Sequence, residues 1–189
     1  MKLGFTAFRA VVGATMFAHG AQKLFGWFGG PGLEGMAGAF DSMGLKPGKR
    51  SALAAGVSEA GGGLLLATGF LTPLGSAATI GVQSQAIRTV HGPKGFFNTE
   101  GGFEYNLTLI AAAVALADRG PGPISLDRAL GTERRGTAWA LAALAAGLAG
   151  PKLLERLGAR EASAPEAPAP APQNGAGGPV AQEPVGSIH

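Results

Sequence analysis

Four apolar stretches dominate the first 117 residues of this 189-residue chain, and they cover residues 3–24, 51–70, 73–90 and 103–117. Each is long enough, or nearly so, to cross a bilayer, which takes about 20 mostly apolar residues in an α-helix. Inside a bilayer the backbone must satisfy its own hydrogen bonds, and a helix does this within one segment. The sequence therefore predicts an all-α fold, a multispan membrane helix bundle with four core transmembrane helices within residues 1–119.

The loop between the first two stretches has a helical pattern of its own. Apolar residues recur there at helical spacing, with polar residues between them, which predicts a surface amphipathic helix on the membrane. The apolar positions are Leu33, Met36, Ala37, Phe40 and Met43.

Three further segments are predicted beyond residue 119: a loop at 120–136, a candidate fifth helix at 137–157 and a disordered tail at 158–189. The apolar run 137–149 is rich in Ala and Leu, but it is shorter than the roughly 20 residues that a span needs. A tilted fifth transmembrane helix and a surface helix both stay open. The tail consists mainly of Pro, Ala, Gly and Gln, a composition that buries too little apolar surface to fold.

Composition excludes several classes of function. Charged residues make up only 14% of the chain, with a net charge of +3, and the basic residues lie in short loops beside apolar stretches, as in membrane proteins. A nucleic-acid-binding protein would instead carry a basic stripe, so no nucleic-acid partner is expected. The chain has no cysteine, which excludes thiol redox chemistry and cysteine-based metal sites. No metal site is expected, and in any electron transfer a bound cofactor or a partner must carry the electrons.

Polar side chains in or beside the apolar stretches gather toward one side of the membrane. We call face A the side of the loop that contains Trp27. With a helix rise of about 1.5 Å per residue, His19 lies about 8 Å and Glu59 about 12 Å below face A. Charged groups in hydrocarbon are rare and usually mark functional sites. The side chains predicted to share the face-A half are His19, Lys23, Glu59, Arg88, His91, Glu104 and Asn106.

Each of these side chains also has a simpler interpretation. Lys23, Arg88 and Glu104 lie at helix ends and could extend to the headgroup region. His19 could be a packing histidine. Glu59 is the hardest to explain in this way, because its helical neighbours are Gly, Ala and Val. It must be protonated, paired or facing a polar cavity.

Four other polar residues complete the pattern. Arg9 is expected toward the opposite face, where it could be a cytoplasmic-side anchor with its head in the interface. Gln83, Gln85 and Asn106 could join helices through side-chain hydrogen bonds, as polar residues do between membrane helices.

Glycines and polar residues follow a recognisable order along the apolar stretches. They are Arg9, Gly13, Met16, His19, Gly20 and Lys23, then Glu59, Gly62, Gly63 and Gly69, and last the run Glu104-Tyr105-Asn106-Leu107. This order resembles the DoxX family over about residues 5–117. DoxX-like proteins are small four-helix integral membrane proteins of bacteria and archaea, named after a subunit of a thiosulfate:quinone oxidoreductase. They are often described as membrane parts of redox systems.

The resemblance implies an integral membrane subunit of a bacterial redox system, with a quinone as the candidate cofactor. Its partners would be the lipid bilayer and other proteins of a membrane redox complex, and homo-oligomers stay open. The resemblance brings no established catalytic residues, so the site follows from depth alone. Glu59 and His19 are the candidate catalytic residues, which could exchange protons with the quinone oxygens. The candidate cofactor-binding residues are Lys23, Arg88, His91, Glu104 and Asn106.

Other interpretations remain at this stage. Haem is a weaker variant, with His19 and His91 as axial ligands. The protein could instead be a non-catalytic anchor or assembly protein, or a transporter for a small solute or a proton. Whether the chain is itself an enzyme also stays open.

Loop charge gives a mild indication of orientation. The positive-inside rule favours a cytoplasmic N-terminus, with face A outside, in a multi-pass protein of the cell membrane. The opposite face carries one basic residue more than face A. The opposite face has Lys2, Arg119, Arg128, Arg134 and Arg135, and face A has Lys46, Lys49, Arg50 and Lys94.

Overall fold

The computed structural model describes residues 3–162, with side chains as far as residue 156. The regular structure of this part is helical throughout, which confirms the all-α prediction. The helices are α1 (Leu3–Phe25), α2 (Gly32–Ser42), α3 (Gly48–Thr68), α4 (Thr72–Ala86), α5 (Glu104–Arg119), α6 (Leu126–Leu130) and α7 (Thr137–Ala162). A π-helical turn at Ile87–His91 continues α4.

α1 and α3 pack with their backbones in close contact. One side of α1 is buried at Arg9, Gly13, Met16 and Gly20. A Cβ atom added at Gly13 would lie 2.6 Å from the carbonyl oxygen of Gly63, and one added at Gly63 would lie 2.6 Å from that of Gly13. Only residues without side chains fit at such a contact, as is common between membrane helices.

A tight turn joins α3 to α4. α3 ends at Gly69, whose positive φ of 67° suits a left-handed helix cap. α4 begins at Thr72, with Pro73 in its first turn, where a missing N–H costs nothing. The two helices are therefore neighbours that run in opposite directions.

The chain beyond α5 differs from the predicted organisation. The segment 120–136, expected to be a loop, contains the short helix α6. α7 packs against α4 and α5, with Ile80, Ala113 and Ala143 at the contact. α7 also continues to Ala162, past the expected start of the tail at 158, and the rest of that tail lies outside the described residues.

Within residues 3–162, a single helical segment is both long and apolar enough to cross a membrane, Thr137–Arg156 in α7. α4 and α5 contain 15 and 16 residues, which is short for a span. α1 and α3 are longer, at 23 and 21 residues, but they carry charged residues and many glycines. The predicted multispan arrangement therefore stays a prediction.

Arg9 is buried at the end of the bundle opposite face A, where it joins three segments. Its guanidinium donates hydrogen bonds to the carbonyl oxygens of Pro121, Ile124 and Ala67, and the residue is only 2% exposed. The expectation of an interfacial anchor is therefore wrong, because carbonyl groups around α6 and the end of α3 hold the guanidinium inside the fold, where its Nε atom has no hydrogen-bond partner.

Candidate functional site

A cleft of about 990 Å³ lies at the face-A end of the bundle. Most of its lining is apolar, and its walls come from α1, α2, α3, α4, α5 and α7. Five of the seven side chains predicted to share the face-A half line this cleft: His19, Lys23, Glu59, His91 and Asn106.

An ion pair among the lining residues joins α1 to α3. The Nζ atom of Lys23 lies 2.5 Å from a carboxylate oxygen of Glu59, with side-chain exposures of 21% and 7%. His19 lies one turn before Lys23 and close enough to Glu59 for an electrostatic interaction. Glu59, which was expected to be protonated, paired or facing a polar cavity, is therefore paired with Lys23. The imidazole of His19 lies beside the pair.

Two amide side chains join α4 to α5 in the cleft wall. The Nδ2 atom of Asn106 donates to Oε1 of Gln83 at 2.6 Å, and Nε2 of Gln83 donates to the sulfur of Met16 at 3.4 Å. Because a thioether only accepts hydrogen bonds, this contact fixes which way both amides point. The Oδ1 atom of Asn106 then remains as an acceptor on a residue that lines the cleft.

His91 presents one defined ring nitrogen for binding. Its Nδ1 atom lies 2.7 Å from the carbonyl oxygen of Gly101. A carbonyl oxygen only accepts, so Nδ1 carries the proton, and Nε2 of the neutral ring is an acceptor. His91 ends the π-helical turn, a kind of irregularity that is frequent at functional sites.

Arg88 and Glu104 do not line the cleft. Arg88 lies at its rim, where it donates to Oε1 of Gln85 at 3.1 Å and pairs with Glu155 of α7 at 3.4 Å. Glu104 begins α5 two residues before Asn106 and is not among the lining residues. The structure thus leaves both outside the group that could touch a ligand in the cleft.

The cleft also contains parts that the sequence did not assign to a site. α2 contributes Met36 and Phe40, so the predicted surface helix is also a wall. α7 contributes Gly147, Gly150 and Glu155. Gln83 had a visible signal, an amide within an apolar stretch, whereas nothing in the sequence of α7 indicated which neighbour it would contact.

A metal centre finds no support in the described part of the chain. No three side chains of the His, Cys, Asp and Glu types come together there as a metal ion would require. Two histidines line the cleft, but the ionisable groups at its floor are a lysine and a glutamate.

Residues 4–92 match the sequence model of the DoxX family. The match covers just under half of the chain, and it supports membership of the DoxX family. The DoxX segment covers α1 to α4 and the π-helical turn, and it contains His19, Lys23, Glu59 and His91 of the cleft. No curated protein and no solved structure gives a significant match.

The DoxX match indicates a membrane protein, which would associate with the lipid bilayer. The exposed surface agrees with this, because it includes large apolar side chains such as Val11, Leu53 and Val57 on helices α1 and α3. Asn106 and all of α7 lie beyond the DoxX segment, so the cleft combines family residues with residues of this chain's own C-terminal part.

Proposed function

We propose that the protein is a multi-pass subunit of a bacterial redox system in the cell membrane, and that its face-A cleft holds a quinone. The observation that carries the proposal is the composition of the cleft. Hydrogen-bonding and ionisable side chains gather at one end of a space of about 990 Å³ whose remaining walls are apolar. A quinone has the matching parts, a polar ring and an apolar substituent.

The polar end offers both kinds of hydrogen-bonding partner that a quinone ring needs. The ammonium of Lys23 has donors beyond the one aimed at Glu59, because it carries three N–H groups. The acceptors are Oδ1 of Asn106 and Nε2 of His91. An oxidised ring accepts hydrogen bonds and a reduced ring donates them, so the same group of residues serves both states.

Glu59 and His19 are the proposed proton-exchanging pair. Reduction of a quinone to a quinol consumes two electrons and two protons. Glu59 and His19 lie together at the cleft floor and can pass protons to and from the ring oxygens. The electrons come from a partner protein or its cofactor, since the chain contains no cysteine. We therefore propose a subunit within a complex rather than a complete oxidoreductase.

The proposed orientation places the N-terminus in the cytoplasm and face A outside. Arg119, Arg128, Arg134 and Arg135 lie in the segment between α5 and α7 or beside it, at the end of the bundle opposite face A. Excess basic residues favour the cytoplasmic side.

Photolabelling with an azido-substituted quinone tests this function. The protein in native lipid is irradiated with the probe, and labelled peptides are identified by mass spectrometry. We expect labels on α1, α3 and the start of α5, with protection by excess unlabelled quinone. Labels spread evenly over the lipid-facing helices, with no protection, would contradict a quinone site.

A transporter is the second candidate, because an ion pair inside a cleft also suits a proton-coupled carrier. Proton-coupled solute flux in protein-containing vesicles, together with unprotected photolabelling, would favour it. An anchor or assembly role predicts neither protected labelling nor flux.

A further inference from the structure

We propose that an apolar arm of the cleft receives the tail of the quinone, and that α7, which lies beyond the DoxX segment, forms a wall of this arm. Gly150 leaves the space that the tail occupies. The inference rests on the proposed quinone site, and it adds the class of quinone that the site takes: one with a long isoprenoid tail.

The cleft reaches well beyond its polar end. Along α4 its lining runs from Leu74 to Gln85, which corresponds to about 16 Å of helix. This length exceeds that of a single aromatic ring. The polar side chains occupy the face-A end, and Leu74, Ala77 and Ala78 lie toward the other end. A ligand that fills the whole cleft is therefore an amphiphile with an extended apolar part.

Small residues of α7 form one side of this arm. Ala146, Gly147 and Gly150 face the cleft. Gly147 packs directly on α4, where an added Cβ atom would lie 2.7 Å from the side chain of Ile80. Gly150 differs, because a Cβ atom added there would meet no atom within 4 Å. Gly147 thus holds α7 against α4, and Gly150 leaves space open.

Side-chain contacts of Glu155 hold the face-A end of α7 beside the polar end of the cleft. Glu155 accepts a hydrogen bond from Nε2 of Gln85 at 2.7 Å and pairs with Arg88 at 3.4 Å. Pro151 lies within α7 and cannot donate to the carbonyl group of Gly147, which weakens the helix there. The contacts of Glu155 hold the segment after Pro151 in place, so the apolar arm keeps a defined width.

Leucine substitutions at two glycines separate tail binding from folding. Gly150→Leu fills the arm, whereas Gly61→Leu adds the same side chain to a helix at a position that also has no atom within 4 Å and does not line the cleft. Affinity is measured for a benzoquinone with a long isoprenoid tail and for the same ring without a tail. Thermal unfolding in detergent checks that both variants are folded.

We expect Gly150→Leu to weaken binding of the tailed quinone about tenfold or more, because displacing even two methylene groups of a buried tail has an effect of this size. Binding of the tailless ring stays unchanged, and Gly61→Leu alters neither. If Gly150→Leu does not fold, Ala146→Leu fills the same arm one turn earlier.

Equal affinity of wild-type and Gly150→Leu protein for the tailed quinone would overturn the assignment of the arm, while leaving the quinone site intact. An equal loss of tailed and tailless quinone would also overturn it, because the ring itself would then lie at α7. Binding of neither quinone to the wild-type protein would instead reject the proposed function, and the arm with it.

Discussion

The ammonium of Lys23 on α1 lies 2.5 Å from the carboxylate of Glu59 on α3, at the floor of the cleft. The pair explains how Glu59, a residue that is only 5% exposed, is tolerated on a helix whose neighbouring residues are small and apolar. It also joins the two most closely packed helices at the point where a ligand would bind. The contribution of this ion pair to stability and its contribution to ligand binding can therefore be tested separately.

A double-substitution cycle separates the two contributions of this pair. Glu59→Gln leaves the Lys23 charge without its partner. Lys23 keeps some contact with water, so we expect a loss of about 1 kcal/mol in unfolding free energy rather than the roughly 3–5 kcal/mol of a fully buried pair. Adding Lys23→Gln should restore stability but not quinone binding. The measurements are thermal unfolding and quinone affinity of all four proteins.

The exposed pair of Lys49 and Glu34 is the matched control, since its atoms lie 2.6 Å apart at the surface. Its double glutamine variant should keep both stability and quinone affinity. Full quinone affinity in Glu59→Gln would remove Glu59 from the proposed function.

Arg9→Gln should destabilise the fold without changing the affinity for the quinone. The substitution weakens contacts to the carbonyl groups of Pro121, Ile124 and Ala67, and each hydrogen bond from a charged group contributes about 1.5–3 kcal/mol. Thermal unfolding should shift strongly, while the quinone affinity of the remaining folded protein stays normal. Arg128→Gln, at an exposed ion pair with Glu133, is the control and should change little. Unaltered stability of Arg9→Gln would show that this contact does not support the fold.

Gly13→Ala should separate α1 from α3. The added methyl group would lie 2.6 Å from the carbonyl oxygen of Gly63, and overpacking of this kind costs about 1–3 kcal/mol. Gly61→Ala, on α3 with no atom within 4 Å of the added group, should be neutral in the same unfolding assay. Equal stability of the two variants would contradict the close contact.

Single cysteines test the proposed orientation. The natural chain has no cysteine, so a membrane-impermeant thiol reagent reports only the introduced residue. Lys94→Cys lies before the start of α5 and Arg135→Cys lies near its end, beside Gly120. In intact cells we expect labelling at position 94 and protection at 135. The reverse pattern would invert the orientation, and labelling of both would contradict a bundle that crosses the membrane.

The helices of the DoxX segment were predictable because periodicity and turn residues act locally. The turn residues Gly69 and Pro73 are enough to place α3 and α4 side by side, but no local signal names the partner of α1. Depth along the helices then brought His19, Lys23 and Glu59 to one place, since helix rise alone fixes how far each lies from its helix end.

Other features depend on long-range packing, which a sequence pattern does not encode. Arg88 was expected in the site because of its depth, but depth does not give the side of the helix, and its side chain turns to Glu155. The position of α7 follows from the fit of Gly147 against Ile80. No local signal indicated that contact, so a wall of the cleft was missed.

The most direct test of the account is a reduced-minus-oxidised ultraviolet–visible spectrum of the protein purified in mild detergent with its native lipid. The account predicts a quinone signal at close to one quinone per chain, and a much smaller signal from Gly150→Leu prepared in parallel. A spectrum without a quinone signal, in a preparation whose extracted lipid still contains quinone, would contradict the central claim that the face-A cleft holds one.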